Sequence, residues 1–223
     1  MTLADNFTPS TFVDSFRFMA DHFSLLLEKA GQLSELAFAA LGVALLVALP
    51  LGLWLGHKHR GLFLALGAST IGRALPSIAL IAFFIALLGV GFWNNLVALV
   101  VLAVPPILAN AYFAVDGVDR DVVEAARGIG LTEPQVLVRV ELPLGLPLIL
   151  AGIRIAAVFV IATATIASIA GGEGLGDIIV NQASYGLAGV LAASFWVSGI
   201  ALLAALVLGL AQRAASRRMS PKT

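Results

Sequence analysis

Five long apolar blocks, separated by short polar segments, make up most of the chain. They cover residues 36–56, 62–88, 96–115, 147–170 and 187–211. A helix needs about 20 apolar residues to cross a bilayer, and each block meets that length. Because a helical stripe cannot be seen inside a uniformly apolar run, length and flanking residues decide the assignment. The pattern predicts an all-α, polytopic membrane protein with about five transmembrane helices.

Composition supports this prediction and excludes a soluble protein. Of the 223 residues, 60% are apolar and only 12% are charged, and the mean hydropathy is +1.02, far above the range of soluble domains. Five spans leave no room for a separate soluble domain. Cysteine is absent, which excludes disulfides and thiolate metal sites. We expect no metal site and no nucleic-acid partner.

Basic residues lie on alternate sides of the blocks. They follow the first, third and fifth blocks, at residues 57–60, 120–139 and 213–222, whereas the segments 89–95 and 171–186 contain no Lys or Arg. Cytoplasmic loops carry the excess of Lys and Arg. The distribution therefore predicts an external N-terminus, a cytoplasmic loop at 116–146 and a cytoplasmic basic tail at 212–223.

The N-terminal segment, residues 1–33, precedes the transmembrane domain, residues 34–211. Its apolar residues recur at helical intervals, and they are Phe12, Phe16, Met19, Phe23 and Leu26 or Leu27. This spacing predicts an amphipathic helix on the periplasmic side, either lying on the membrane surface or simply packing against neighbouring helices. Asp14, Arg17 and Asp21 interrupt the apolar run, which is not typical of a signal peptide.

The loop at 116–146 is longer than a simple return of the chain requires. Its sequence predicts two short helices, because capping residues occur at suitable positions. The expected caps are Asp119 or Asp121 before the first helix, Gly128 and Gly130 after it, Thr132 with Gln135 before the second helix, and Pro143 after it. On spacing alone, the loop is either a passive hairpin on the headgroups or a docking element.

A longer pattern in this loop distinguishes the two. Glu124-Ala125-Ala126 is followed after three residues by Gly130 and after nine more by Val140-Glu141-Leu142-Pro143. This resembles the EAA signature of permease subunits of bacterial ABC importers, with Val140 where isoleucine is usual. The resemblance implies a type I importer permease fold, in which the loop is the coupling helix that docks on an ATPase. It would make Ala125, Ala126 and Gly130 docking positions, Glu124 a polar contact or cap, and Leu142-Pro143 the turn back into the membrane.

The resemblance extends over most of the chain. Stretches such as "GRALPSIALIAFFIALLGVG" and "VPPILANAYFAVDGVDRDVVEAARGIG" are similar to the osmoprotectant permeases, which import glycine betaine, choline, carnitine and related solutes. Methionine-type permeases share the fold and are the alternative. The resemblance implies a bacterial inner-membrane location, two ATPase subunits, a second permease chain, identical or homologous, and a periplasmic or lipid-anchored binding protein. ATP and Mg²⁺ would bind the ATPases, because this chain has no G-x-x-x-x-G-K-[ST] loop; the permease itself is not expected to be an enzyme or to hold a cofactor.

Candidates for the translocation path are polar or aromatic residues within the blocks, and they are Arg73, Tyr112, Thr163, Thr165 and Ser168. Arg73 could meet a betaine carboxylate, or it could snorkel or contact a backbone carbonyl near Pro76. The hydroxyl residues could line a weakly polar path, or they could form hydrogen bonds between helices.

The outer segment "GGEGLGDIIVNQASYG" is rich in glycine. We predict a periplasmic gate or binding-protein contact at Gly172, Gly174, Gly176 and Asp177, with a short helix over 177–183. An ordinary connector is the alternative.

Two functional classes rival the ABC permease. One is a non-transporting membrane scaffold, for which the specialised cytoplasmic hairpin would be superfluous. The other is a secondary transporter or a channel that needs no ATP. Such a protein would be expected to have an inverted second half or carboxylates inside its spans. The block boundaries place no Asp or Glu within a span, so the sequence favours the ABC permease.

Overall fold

A computed structural model describes residues 9–219, and the side chains in that range except those at 9, 68, 69, 71–74, 169, 218 and 219. The described chain is all-α, as predicted. Ten α-helices follow one another: α1 (Pro9–Asp21), α2 (Phe23–His57), α3 (Leu62–Ala74), α4 (Ser77–Leu88), α5 (Phe92–Asp116), α6 (Arg120–Gly128), α7 (Glu133–Val136), α8 (Leu142–Ala164), α9 (Leu175–Val180) and α10 (Gln182–Met219). A π-helical turn, Leu137–Glu141, precedes α8, and a 3₁₀ helix, Ile166–Ala170, follows it.

Within the described residues, four helical stretches are long and apolar enough to cross a membrane. They are Phe23–His57, Phe92–Asp116, Glu133–Ser168 and Gln182–Arg217. The second apolar block, which we predicted as one span, is instead divided into α3 and α4 at Pro76. Proline disfavours the helical conformation of the preceding residue, and Pro76 itself is extended, with φ −71° and ψ 117°. The chain is a multi-pass membrane protein, and a count of five spans stays a prediction.

No helix boundary marks the end of the N-terminal segment at residue 33, because α2 continues from Phe23 to His57. The predicted apolar face of this segment divides into two parts. Leu26 is completely buried, whereas Phe12, Phe16 and Phe23 are about half exposed. Phe16 stacks on Phe195 with 6.1 Å between ring centroids. The segment is therefore packed against its own chain on one side and presents aromatic rings on the other.

The chain forms two compact units. The first contains the residues up to Ala40, Pro76–Leu99 and Phe159–Leu203, and the second contains Leu41–Leu75, Val100–Val158 and the residues from Ala204 on. Within the second unit, glycines allow close backbone approach to α5. A Cβ added at Gly145 would lie 2.5 Å from the Ala114 carbonyl oxygen, and one added at Gly56 would lie 2.6 Å from that of Tyr112. Small residues thus allow close helix packing, as their frequency in the blocks indicates.

The predicted orientation can be tested with reporter fusions. A reporter fused after Arg218 should lie in the cytoplasm. The basic segments follow blocks one, three and five, and such segments stay on the cytoplasmic side. A reporter inserted at Asp5 should be periplasmic. Alkaline phosphatase and green fluorescent protein fused at each site provide the matched pair, and the inverse activity pattern would overturn the orientation.

Candidate functional site

We call residues 116–146 the hairpin, and its first helix begins and ends as predicted. Asp119 caps α6, since its Oδ1 accepts a hydrogen bond from the Asp121 backbone N–H at 2.9 Å. The helix ends at Gly128. Gly130 follows with a φ of +91°, a conformation that favours glycine over residues with a Cβ. The glycine of the signature is thus required by the backbone of the turn.

The second half of the hairpin differs from the prediction at its end. The Thr132 backbone N–H donates to Gln135 Oε1 at 2.9 Å, so the predicted start is confirmed. Pro143 does not end the helix, however: α7 continues through the π-helical turn into α8, which contains Leu142 and Pro143 as its first residues. A proline ring clashes with the carbonyl four residues earlier in a regular helix. The wider π turn directly before Pro143 removes that conflict, so these two residues are part of a helix and form no turn.

The inner face of the hairpin is an apolar cluster. Its buried members are Val123, Ala126 and Val136, and the partly buried residues around them are Val118, Leu131 and Val140. Ala126 is only 6% exposed. It therefore packs inside the hairpin, and the docking role that the resemblance implied for it stays a prediction.

The outer face of the hairpin carries the other signature residues. Glu124, Ala125 and Gly130 are exposed. Two further residues that were not predicted from the sequence lie on this face: Ile129, which is 81% exposed directly after α6, and Val122, which is 44% exposed. Val122, Ala125 and Ile129 are three and four residues apart, a spacing that places them along one side of the helix. An apolar strip on a polar loop is typical of a protein-binding surface.

Four titratable side chains form a network behind this surface, which we call the charge network. The His57 ring contacts two carboxylates, Glu141 Oε2 at 2.6 Å from Nδ1 and Glu133 Oε2 at 3.1 Å from Nε2. Arg127 holds Glu133 with two hydrogen bonds of 3.0 Å, from Nε and Nη2. The hydrogen bond to Glu133 raises the pKa of the Arg127 guanidinium. The network joins the last residue of α2 to α6, α7 and the π turn.

The inner end of this network is almost completely removed from solvent. His57 is 6% exposed and Glu141 is 1% exposed, and Glu141 Oε1 is buried without a hydrogen-bond partner. The block boundaries placed no carboxylate inside a span, but the structure buries Glu141 one residue before α8. In the sequence, His57 counted only as part of a basic segment. An acid within "VRVELPLG" was the available signal.

A second histidine and carboxylate pair lies in the same unit but outside the hairpin helices. His59 Nδ1 contacts Asp116 Oδ1 at 2.7 Å, and both side chains are about one third exposed. His59 has a φ of +49°. This pair ties the segment after α2 to the end of α5, and it provides a natural comparison for the buried His57 and Glu141 pair.

The candidates for the translocation path occupy different surroundings. The Arg73 side chain lies outside the described residues. Tyr112 and Thr163 are buried, at 2% and 3% exposure. The Thr165 hydroxyl donates to the Ile161 carbonyl at 3.2 Å, and the Ser168 hydroxyl donates to the Thr165 carbonyl at 3.1 Å. These two hydroxyls therefore bond to the backbone of their own helical segment, and a role in the path stays a prediction.

The glycine-rich outer segment is folded tightly within the first unit. Gly172, Gly174 and Gly176 are buried, and Gly174 has a φ of +143°. Asp177 Oδ2 accepts hydrogen bonds from the Gly174 N–H at 3.3 Å and from Lys29 Nζ at 2.6 Å. The short helix is α9, Leu175–Val180, which begins and ends earlier than the predicted 177–183. A gate at these residues stays a prediction, and its glycines contact their own chain.

Two adjacent asparagines, which were not predicted as functional residues from the sequence, support the same region. Asn94 and Asn95 are 1% and 0% exposed. Asn94 Oδ1 accepts a hydrogen bond from the Gly91 N–H at 3.0 Å, and Asn95 Nδ2 donates to the Gly91 carbonyl at 3.1 Å. Asn95 Nδ2 also lies 3.4 Å from the Ala167 carbonyl oxygen. They satisfy backbone groups where α5 begins, beside the 3₁₀ helix.

Curated proteins with similar sequences are osmoprotectant permeases. The chain is 42% identical over 154 residues to the glycine betaine/carnitine/choline transport system permease protein OpuCB of Bacillus subtilis, covering 69% of this chain and 71% of that protein. It is 39% identical over 189 residues to the choline transport system permease protein OpuBB of the same organism, covering 84% and 87%. The osmoprotectant import permease protein OsmW of Salmonella typhimurium is 36% identical over 177 residues, covering 74% and 82%.

Solved structures share the fold of this chain, and a protein family matches most of its length. The fold resembles that of the MetNI methionine ABC transporter in inward-facing conformations, with a TM-score of 0.74 at 22% identity, covering 87% of this chain and 98% of that one. An amino acid ABC transporter has a TM-score of 0.66 at 18% identity, covering 88% and 96%. Residues 48–221 match the family described as the binding-protein-dependent transport system inner membrane component. The chain belongs to this family of ABC importer permeases.

Proposed function

We propose that this permease imports a quaternary ammonium osmoprotectant, such as glycine betaine or choline, across the bacterial inner membrane. The relatives named for choline, carnitine and glycine betaine transport support this solute class, because they are 39–42% identical over most of the chain. The methionine-type structures, at 20–22% identity, share the fold alone. The proposed solute class therefore rests on the relatives with similar sequences and not on the structures that share the fold.

The hairpin carries the proposal that transport is driven by a partner ATPase. Permeases of this family act with ATPase and binding-protein partners. We assign the ATPase contact to the outer face of the hairpin, where Ala125 and Ile129 are exposed and the cluster around Val123 and Val136 holds the helix from behind. Such a rigid element transmits movement without deforming, since packed cores resist compression. A channel or an ATP-independent transporter does not need an exposed helix face that is supported by a packed cluster.

The assembly would contain two copies of the ATPase, two permease chains, identical or homologous, and a periplasmic or lipid-anchored binding protein. ATP and Mg²⁺ would bind the ATPases and would not contact this chain. Binding of ATP would close the ATPases, move the hairpins as rigid bodies, and switch the helices between inward-open and outward-open states. The permease would supply a path and contribute no catalytic group.

The solute class can be tested in reconstituted vesicles. The complete transporter with its binding protein should show ATPase stimulation by glycine betaine, choline or carnitine, because a loaded binding protein favours the transport-competent state. The measurement is phosphate release with each solute, with methionine and histidine as controls. Stimulation by the amino acids alone would favour the methionine-type alternative, and ATP-independent uptake would exclude the ABC mechanism.

A further inference from the structure

The charge network offers a direct link between the hairpin and the membrane helices. Its outer residue, Arg127, lies on α6, the helix that carries the proposed ATPase contact. Glu133 follows on α7, His57 ends α2, and Glu141 ends the π turn before α8. We propose that this network positions α2 relative to the hairpin and makes α2 follow the hairpin when the ATPase moves it. This inference rests on the proposed ATPase contact.

The hydrogen-bond geometry connects all four side chains into one network. Both ring nitrogens of His57 face carboxylate oxygens, at 2.6 and 3.1 Å. One ring nitrogen faces each carboxylate, so His57 bridges Glu133 and Glu141. Arg127 extends the network to α6 through its two hydrogen bonds to Glu133. Lys58, the residue directly after α2, is exposed and adds positive charge beside Glu133.

Burial makes the His57 and Glu141 contact strongly dependent on both partners. A buried charge without its partner is costly, because water cannot replace the lost interaction. Glu141 Oε1 already has no hydrogen-bond partner, and its second oxygen is held by His57. Separating α2 from the π turn would expose this carboxylate or leave it unpaired. The two segments therefore favour moving together.

The placement of these residues defines the route of the movement. The hairpin reaches α8 through the covalent chain, since the π turn leads directly into it. It reaches α2 through hydrogen bonds to His57, the last residue of one continuous helix of 35 residues. One displacement of α6 would thus act on two of the four span-length helices in the described chain. The His57 substitution should weaken the second route and leave the first intact.

The test uses the complete transporter with its ATPase and binding protein. His57→Asn and Glu141→Gln should each bind the ATPase as the original chain does, because neither residue lies on the outer face. The solute transported per ATP hydrolysed should fall by about fivefold or more, the usual range of energetic coupling between sites. The ratio is measured in vesicles and normalised to assembled complex, so a loss of folded protein does not change it.

His59→Asn is the matched control. It makes the same substitution in the second histidine and carboxylate pair, and asparagine tolerates the positive φ found there. This variant should keep the original ratio of transport to ATP hydrolysis. The double variant of His57→Asn with Glu141→Gln should have a ratio of transport to ATP hydrolysis no lower than that of the more impaired single variant. The effects of residues in one network are not additive.

Two results would separate failure of this inference from failure of the proposed function. If the original chain recruits no ATPase, the proposed function is wrong. If His57→Asn and Glu141→Gln assemble and keep the original coupling ratio, the network has no positioning role. Should both variants be lost from the membrane, Glu133→Gln decides the question, because its side chain is about half exposed and its loss removes the centre of the network. A normal ratio in that variant would overturn the inference.

Discussion

Ala125→Glu is expected to abolish recovery of the partner ATPase while the permease stays inserted and folded. Ala125 is exposed on the outer face of α6, next to the exposed Glu124. A new carboxylate there adds both volume and like charge to the proposed contact. An unpaired charge in an interface costs about 2–5 kcal/mol, which corresponds to a loss of affinity of about 30-fold or more. The measurement is the amount of ATPase that co-purifies with each mole of permease.

The adjacent alanine provides the matched comparison. Ala126→Glu places the same carboxylate in the buried cluster with Val123 and Val136, so it should open the hairpin. Arg127 and Arg139 are both exposed but lie in helical backbone. Limited trypsin digestion distinguishes the two variants, since only Ala126→Glu should unfold the hairpin and speed cleavage after these arginines. Ala20→Glu, at an exposed position on α1, should leave ATPase recovery unchanged. Recovery with Ala125→Glu equal to that with Ala20→Glu would exclude the outer face as the contact.

The hairpin shows which structural features are encoded locally. Asp119, Gly130 and Thr132 could be assigned from the sequence because capping depends on a few neighbouring residues. The side on which each alanine lies could not be assigned. Apolar residues occur on both sides of "RDVVEAARG", and packing with residues outside this helix, including Val136 of the next helix, buries Ala126.

The prolines show a similar limit. Pro50, Pro105, Pro106 and Pro147 all lie inside helices, whereas Pro76 separates α3 from α4. Each proline has the same local effect on the helix, so the difference must come from neighbouring helices and from how the freed backbone groups are satisfied. Block length alone therefore predicted the span-length helices well but predicted one continuous helix where there are two.

The charge network could not be predicted from local patterns. His57 and Glu141 are 84 residues apart, and each lies at the end of an apolar run where a charged residue usually faces the interface. The Arg127 and Glu133 pair is closer in sequence, but a turn separates the two helices that carry them. Pairing of this kind depends on the tertiary fold, while the signature motif identified only the hairpin itself.

Close packing of α2 on α5 in the second unit depends on a glycine without a side chain. A Cβ added at Gly52 would lie 2.7 Å from both the Leu108 carbonyl oxygen and the Ala111 Cβ. Such distances require the helices to move, because one of the contacted atoms belongs to the backbone. Gly42, which lies ten residues earlier in α2, has no atom within 4 Å of an added Cβ. The same substitution should therefore have opposite effects at the two positions.

Gly52→Ala should lower the thermal stability of the purified permease, whereas Gly42→Ala should raise it slightly. Alanine favours a helix over glycine by about 0.5–1 kcal/mol, and this gain should appear fully at Gly42. At Gly52 it is outweighed by overpacking, which typically costs about 1–3 kcal/mol and more when backbone atoms collide. A shift of several degrees between the two melting temperatures is expected, measured on full-length chains in the same detergent. Equal melting temperatures would mean that α2 and α5 do not pack as closely at Gly52 as the structure indicates.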